Sequence, residues 1–122
     1  MSFAFDPYQG LVVVRAELTG PSGNAVLGFA LDTGATITVV NAGLLVAIGY
    51  EPGLATGRVE VTTGSGIEYA TQVTLGRIVA LGQTQTSFPV LAHTLPPSAG
   101  VDGLIGLDFL RSRTLSIDFQ NG

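Results

Sequence analysis

Short runs in which apolar and polar residues alternate recur along the chain, and they predict β-strands. Residues 10–18, GLVVVRAEL, are rich in valine and set Arg15 and Glu17 between apolar neighbours. A cluster of turn-forming residues, TGPSGN at 19–24, separates this run from AVLGFAL at 25–31. The two runs therefore predict an N-terminal hairpin.

Further segments of the same character predict a mostly β domain. A second hairpin is expected at residues 57–73, GRVEVTTGSGIEYATQV, with TTGSG at its tip. The stretch 73–92 predicts two or three more strands with a turn at Gly82. The remaining strands are expected at residues 37–40, 100–106 and 114–119.

Two short helices are expected between the strands. Asn41 can cap a helix over residues 42–48, and Gly49 follows as its C-terminal stop. The segment LDFLRSR at 107–113 predicts a brief helix with Asp108 in its first turn and arginines in its last, which suits the helix dipole.

The composition is that of a folded domain with an unusually apolar surface. The chain has 122 residues, enough for one domain over residues 1–122 with a core of its own. Of these residues 46% are hydrophobic and only 11% are charged, so we expect a partner to cover some of the surface. The net charge is −4, lysine is absent and the arginines are scattered, which argues against a nucleic-acid or anionic-membrane partner.

Several classes of protein are excluded by what the chain lacks. Cysteine is absent, so disulfides and thiol chemistry are excluded, and the single His93 cannot form a histidine-rich metal site. No apolar run reaches the roughly 18 residues of a membrane helix. Residues 1–10, MSFAFDPYQG, lack the basic start and apolar stretch of a signal peptide. We therefore expect a soluble protein, cytoplasmic or excised from something longer, with its location open.

The candidate chemistry centres on residues 28–36, GFALDTGAT, where an apolar strand ends on Asp32. This acid could be a turn or cap residue, a common place for aspartate. A phosphoryl-accepting aspartate would need Mg²⁺ and further carboxylates, and the motif contains no second acid. A Ser/His/Asp triad would have to use His93, but no Gly-x-Ser-x-Gly turn surrounds any serine.

A pair of aspartates around a water molecule is the remaining option. Two carboxylates about 3 Å apart cannot both ionise, so they share a proton. One then acts as a base on the water and the other as an acid toward a substrate carbonyl. Because the chain contains one Asp-Thr-Gly, a two-fold dimer is the economical source of the second carboxylate.

The order of these segments resembles that of the retropepsin-type aspartic proteases, and their bacterial single-domain form in particular. The resemblance rests on LDTGA at residues 31–35 after a hairpin, TGSG at residues 63–66, and GLIG at residues 103–106 followed by LDFL and a closing strand. It implies an all-β fold, a closed β-barrel of the acid protease type with one or two short helices.

The resemblance also implies roles for individual residues. Asp32 matches the catalytic aspartate, and Thr33 matches the threonine whose hydroxyl links the two active-site loops across a dimer. Gly34 matches the glycine whose N–H faces the carboxylate and whose missing side chain lets the substrate approach. Ala35 lies beside it on the cleft floor.

Two other segments match further parts of this family. The flap tip that covers the substrate is matched by Gly64, Ser65 and Gly66. The structural motif beneath the catalytic loop is matched by Leu104, Ile105 and Gly106. Many retroviral members brace the dimer with an acid and an arginine, and here the matching positions, Thr36 and Leu107, are neutral.

The resemblance implies an aspartic endopeptidase that acts as a homodimer on a peptide or protein substrate and needs no metal or organic cofactor. The alternative is a catalytically idle module with the same fold that dimerises or binds peptides. A monomer that dimerises only with substrate or at high concentration is also open. Asp102 and Asp108, on either side of GLIG, are interpreted as turn and helix-start residues.

Overall fold

The computed structural model of the chain describes residues 2–54, 58–63 and 66–122. These residues form seven strands and two short α-helices. In chain order the elements are β1 (Val13–Gly20), β2 (Gly23–Leu31), β3 (Val39–Asn41), α1 (Ala42–Ala47), β4 (Arg58–Thr63), β5 (Gly66–Ala80), β6 (Gln83–His93), β7 (Gly103–Ile105) and α2 (Leu107–Leu110). None of the helices in the described ranges is long and apolar enough to cross a bilayer.

Six of these strands close into a barrel. Their order around the ring is β1-β2-β7-β3-β6-β5, and β5 returns to pair with β1. The β1–β2 and β5–β6 neighbours are antiparallel hairpins, whereas β7 lies parallel to β2 and β3 lies parallel to β6. β4 pairs with β5 beyond the ring, so the hairpin of β4 and β5 extends from the barrel. The predicted fold class, a closed β-barrel with short helices, is confirmed.

The alternation of apolar and polar residues places the core inside this barrel. In β1, Val14, Ala16 and Leu18 are buried while Arg15 between them is exposed. The largest side chains with almost no exposure are Phe29, Phe109, Leu18, Leu45, Leu75, Ile78 and Ile105. They come from the strands and from both helices, so the side chains of α1 and α2 pack into the same core as those of the barrel.

The first short helix begins and ends close to the predicted residues. The side chain of Asn41 accepts a hydrogen bond from the Gly43 N–H, which makes it the N-cap of α1. Gly49 follows the helix with a φ of 102°, a conformation that glycine adopts without strain.

Strand β5 is longer than the sequence pattern predicts. The pattern predicts two or three strands in residues 73–92, and two are present there, the end of β5 and nearly all of β6. β5 runs unbroken over 15 residues, so the same strand also forms the second arm of the preceding hairpin. Gly76 does not end the strand because its N–H donates to the Tyr50 hydroxyl at 2.7 Å, and that hydroxyl donates to the Thr19 carbonyl at 2.9 Å. The predicted turn at Gly82 is present, and Leu81 and Gly82 both have positive φ.

The predicted closing strand at residues 114–119 is wrong. The segment has the alternating pattern of a strand, but Leu115, Ile117 and Phe119 are 39%, 38% and 61% exposed and no strand is formed there. Within the described part of the chain no strand pairs with this segment, and strand hydrogen bonds need a neighbouring backbone. The chain instead ends in a turn at Asp118, whose pKa is lowered by hydrogen bonds from the Asn121 side chain and nearby backbone N–H groups.

A substitution at Gly103 in β7 tests how closely the strands of the barrel pack. A Cβ at this position would lie 2.4 Å from the Val39 carbonyl oxygen and 2.5 Å from the Phe29 ring. We expect Gly103→Ala to lower the free energy of unfolding by about 1–3 kcal/mol because the strands must separate to make room. Denaturant unfolding measures this, with Gly10→Ala as control since nothing lies within 4 Å of its Cβ position. Equal stability of the two variants would contradict the packing described.

Candidate active site

The segment that follows β2 forms a tight turn held at both of its ends. The Leu31 N–H donates to the Val12 carbonyl at 2.9 Å, and the Asp32 N–H donates to the Ile105 carbonyl at 2.9 Å. The turn is then closed by the Ala35 N–H, which donates to the Asp32 carbonyl at 3.1 Å. The strand therefore delivers Asp32 to a fixed position at the end of the barrel.

The carboxylate of Asp32 is oriented by its own turn. Its Oδ1 accepts a hydrogen bond from the Gly34 N–H at 2.9 Å. A Cβ on Gly34 would lie 3.2 Å from that oxygen, so glycine allows the close approach. Asp32 is half-buried, whereas Thr33 and Gly34 are exposed. The turn thus presents a carboxylate, a hydroxyl and a bare stretch of backbone on an accessible surface.

The predicted structural motif lies directly beneath this turn. β7 pairs in parallel with the end of β2, so that Leu104 lies opposite Ala30 and Ile105 opposite Leu31. The Leu107 N–H donates to the Ala35 carbonyl at 2.8 Å. Residues 105–107 therefore contact the first and last residues of the turn, and the structure brings the two predicted segments together.

Asp102, which precedes β7, is a structural acid. Its Oδ2 accepts a hydrogen bond from the Gly28 N–H at 3.0 Å, and its own N–H donates to the Gly28 carbonyl at 2.8 Å. Its carbonyl accepts from the Asn41 N–H at 2.9 Å. Asp102 joins β2 to β3, which agrees with its interpretation as a turn residue.

Asp108 makes a second structural contact, and the sequence analysis missed its partner. Its carboxylate accepts from the Thr38 backbone N–H at 2.9 and 3.0 Å and from the Thr38 hydroxyl at 2.7 Å. The same hydroxyl oxygen accepts from the Gly106 N–H at 3.1 Å. Thr38 is fully buried. The indication of this contact in the sequence is a single hydroxyl residue, Thr38, within the apolar run ITVV.

The hairpin of β4 and β5 contains the predicted flap tip. Gly64 and Ser65 lie outside the described residues, and Gly66 opens β5 opposite Thr63. Beyond it, Ile67 and Tyr69 are 60% and 69% exposed and lie on one face of the strand, two residues apart. The hairpin therefore carries two large apolar side chains that the chain itself leaves uncovered.

A closed barrel of this topology, with an aspartate turn seated on β7, is the architecture of a retropepsin-like aspartic protease. The model of the family described as gag-polyprotein putative aspartyl protease matches residues 22–112, and the chain belongs to this family. The matched range includes both the turn of Asp32 and the GLIG segment. Family and fold together support an aspartic protease-like function.

A solved structure gives the same fold. A retropepsin-like aspartic protease from Rickettsia conorii superposes with a TM-score of 0.68 over 92% of this chain and 79% of its own, at 18% sequence identity. At that identity the likeness concerns the fold. No curated protein is similar enough in sequence to match the chain.

Gly106 tests the contact between the turn and the segment beneath it. A Cβ on Gly106 would lie 2.8 Å from the Ala35 carbonyl oxygen and 2.8 Å from the Ile37 carbonyl carbon. We expect Gly106→Ala to push the turn away and to lower the free energy of unfolding by about 1–3 kcal/mol. Denaturant unfolding measures the loss, and Gly53→Ala, with open space around its Cβ position, is the control. A variant as stable as the parent would show that the two segments do not pack this closely.

Proposed function

We propose that the protein is an aspartic endopeptidase whose active site is assembled from two copies of the chain. Each copy supplies one Asp32, and a water molecule held between the two carboxylates attacks the peptide carbonyl. The observation that carries the proposal is the fixed, half-exposed Asp32 in a protein of the aspartic protease family.

The chemistry follows from placing two like acids close together. Two neighbouring carboxylates share one proton, so one copy of Asp32 takes a proton from the water while the other donates a hydrogen bond to the carbonyl. The Gly34 N–H holds Oδ1 of each carboxylate, which limits the directions in which the acids can point. Thr33, exposed beside Asp32, would link the two turns through its hydroxyl.

In this proposal the second carboxylate comes from another copy of the chain. Asp102 and Asp108, the acids on either side of β7, already accept hydrogen bonds from Gly28 and Thr38. Neither is available to hold a water against Asp32. A two-fold axis beside the turn would bring Asp32 to its own equivalent and complete the pair.

The substrate would be a peptide in extended conformation. It would lie between the two aspartate turns and the β4–β5 hairpins, with Gly64, Ser65 and Gly66 at the covering tip, and it would bond to the protein through its backbone. Ile67 and Tyr69, exposed on this hairpin, favour apolar side chains near the bond that is cut. Ala35, half-buried beside the carboxylate, would form part of the cleft floor.

Asp32→Asn tests the catalytic role. We expect the variant to fold and dimerise as the parent does and to lose at least about 10²-fold in cleavage rate, because an amide cannot act as the base. Cleavage of a diverse peptide pool, followed across pH, measures the rate, and the parent should be fastest on the acid side of neutrality. Glu51→Gln, which removes an exposed carboxylate elsewhere, is the matched control.

Two results would oppose this assignment in different ways. If the Asp32→Asn variant cleaves as fast as the parent, Asp32 takes no part in the reaction. A parent that binds peptides as a dimer and cleaves none of them would identify the idle peptide-binding module instead.

The requirement for two copies predicts a rate that depends on protein concentration. Thr36 and Leu107 are neutral, so the dimer lacks an ionic brace at these positions and we expect it to dissociate on dilution. Activity per chain should then rise with concentration in step with the dimer fraction from sedimentation. Constant activity per chain in a range where the protein is monomeric would refute a shared active site.

A further inference from the structure

We infer that Thr38 and Asp108 are positioning residues for the aspartate turn: the hydrogen-bonded contact between them sets the orientation of the Asp32 carboxylate. The inference rests on the proposed function for its consequence in catalysis. Neither residue would touch the substrate, and both would act through residues 105–107.

The contact between Thr38 and Asp108 consists of several directional hydrogen bonds. Oδ1 of Asp108 accepts from the Thr38 hydroxyl at 2.7 Å, from the Thr38 N–H at 2.9 Å and from the Phe109 N–H at 2.9 Å. The Thr38 hydroxyl oxygen in turn accepts from the Gly106 N–H at 3.1 Å. The Thr38 hydroxyl is therefore hydrogen-bonded both to Asp108 in α2 and to Gly106, the residue that precedes α2.

Gly106 connects this contact to Asp32. Gly106 lies between Ile105, whose carbonyl receives the Asp32 N–H, and Leu107, whose N–H donates to the Ala35 carbonyl. Holding Gly106 therefore holds the two neighbours that bond to the ends of the turn. A shift of Gly106 would move both anchors, and the Gly34 N–H that orients the carboxylate lies between them.

Thr38 places a polar group where burial makes it costly. Thr38 has no exposed surface, and it follows Ile37 and precedes Val39 and Val40 in an otherwise apolar run. A buried hydroxyl needs hydrogen-bond partners, and here the half-buried Asp108 carboxylate and the Gly106 N–H supply them. Networks of this kind fix a single geometry, which is what a catalytic carboxylate requires.

Thr38→Val tests the inference because it keeps the shape and removes the hydroxyl. We expect kcat to fall about tenfold to a hundredfold, as small displacements of catalytic groups do, with KM and the dimer fraction unchanged. Thr38→Ser keeps the hydroxyl and should restore most of the rate. Rates are compared well below each variant's unfolding temperature, so that the loss does not reflect unfolded protein.

Tyr50→Phe is the matched control. The Tyr50 hydroxyl also bridges two backbone groups, accepting from Gly76 and donating to Thr19, but neither belongs to the turn or to residues 105–107. We expect Tyr50→Phe to lose stability and to keep the parent kcat. If it lowers kcat as much as Thr38→Val, the effect is general loosening and the inference fails.

A second readout needs no catalytic activity. The amide resonance of Gly34 reports its hydrogen bond to Asp32, so we expect it to shift in Thr38→Val and to stay in place in Tyr50→Phe. An unchanged Gly34 resonance in folded Thr38→Val overturns the inference. If the parent cleaves nothing, the proposed function fails, and the Gly34 resonance still decides whether Thr38 positions the turn.

Asp108→Leu is the variant to use if Thr38→Val does not fold. It removes both acceptor oxygens, including the Oδ1 that asparagine would keep, and roughly preserves the size of the side chain. The same fall in kcat and the same shift at Gly34 are expected. A parent-like kcat together with a parent-like Gly34 resonance contradicts the role.

Discussion

The hydrogen bond from the Asp32 N–H to the Ile105 carbonyl is the contact on which the candidate site depends. It forms because β7 lies parallel to the end of β2 and continues the pairing by one residue, from Leu31 to the first residue of the turn. The aspartate is therefore placed by a strand of the barrel and not by a free loop. Groups on rigid elements keep their geometry more precisely, which suits the carboxylate pair proposed for the active site.

The glycines of the GLIG segment let neighbouring backbone approach closely. Gly103 and Gly106 lie where any Cβ would meet the carbonyl groups of Val39, Ala35 or Ile37. Between them, Ile105 fills the core with no exposed surface, and Phe109 from α2 packs edge-on against Phe88 at 5.8 Å. In this short segment the glycines allow close backbone contacts and Ile105 is buried in the core. The same residues therefore stabilise the barrel and support the candidate site.

In the proposed enzyme each chain supplies half of the active site. It holds one aspartate turn, and the acids nearest in sequence to β7 are used in structural contacts. Large apolar side chains stay uncovered on the β4–β5 hairpin and along the segment that ends at Phe119. The low charge content of the sequence, 11%, agrees with this exposed apolar surface.

The sequence by itself determined the local features: the N-terminal hairpin, the Asn41 cap, the turn at Gly82 and the Asp-Thr-Gly turn after an apolar strand. Each is encoded by neighbouring residues, and the resemblance added the closed barrel. Only the tertiary structure decided the features that join distant residues. Strand β5 continues past Gly76 because Tyr50 reaches across to it, residues 114–119 form no strand because a strand pattern does not supply a neighbour, and Thr38 meets Asp108 across 70 positions of sequence. A pattern reports what a residue prefers, whereas a hydrogen bond depends on which partner the fold brings within reach.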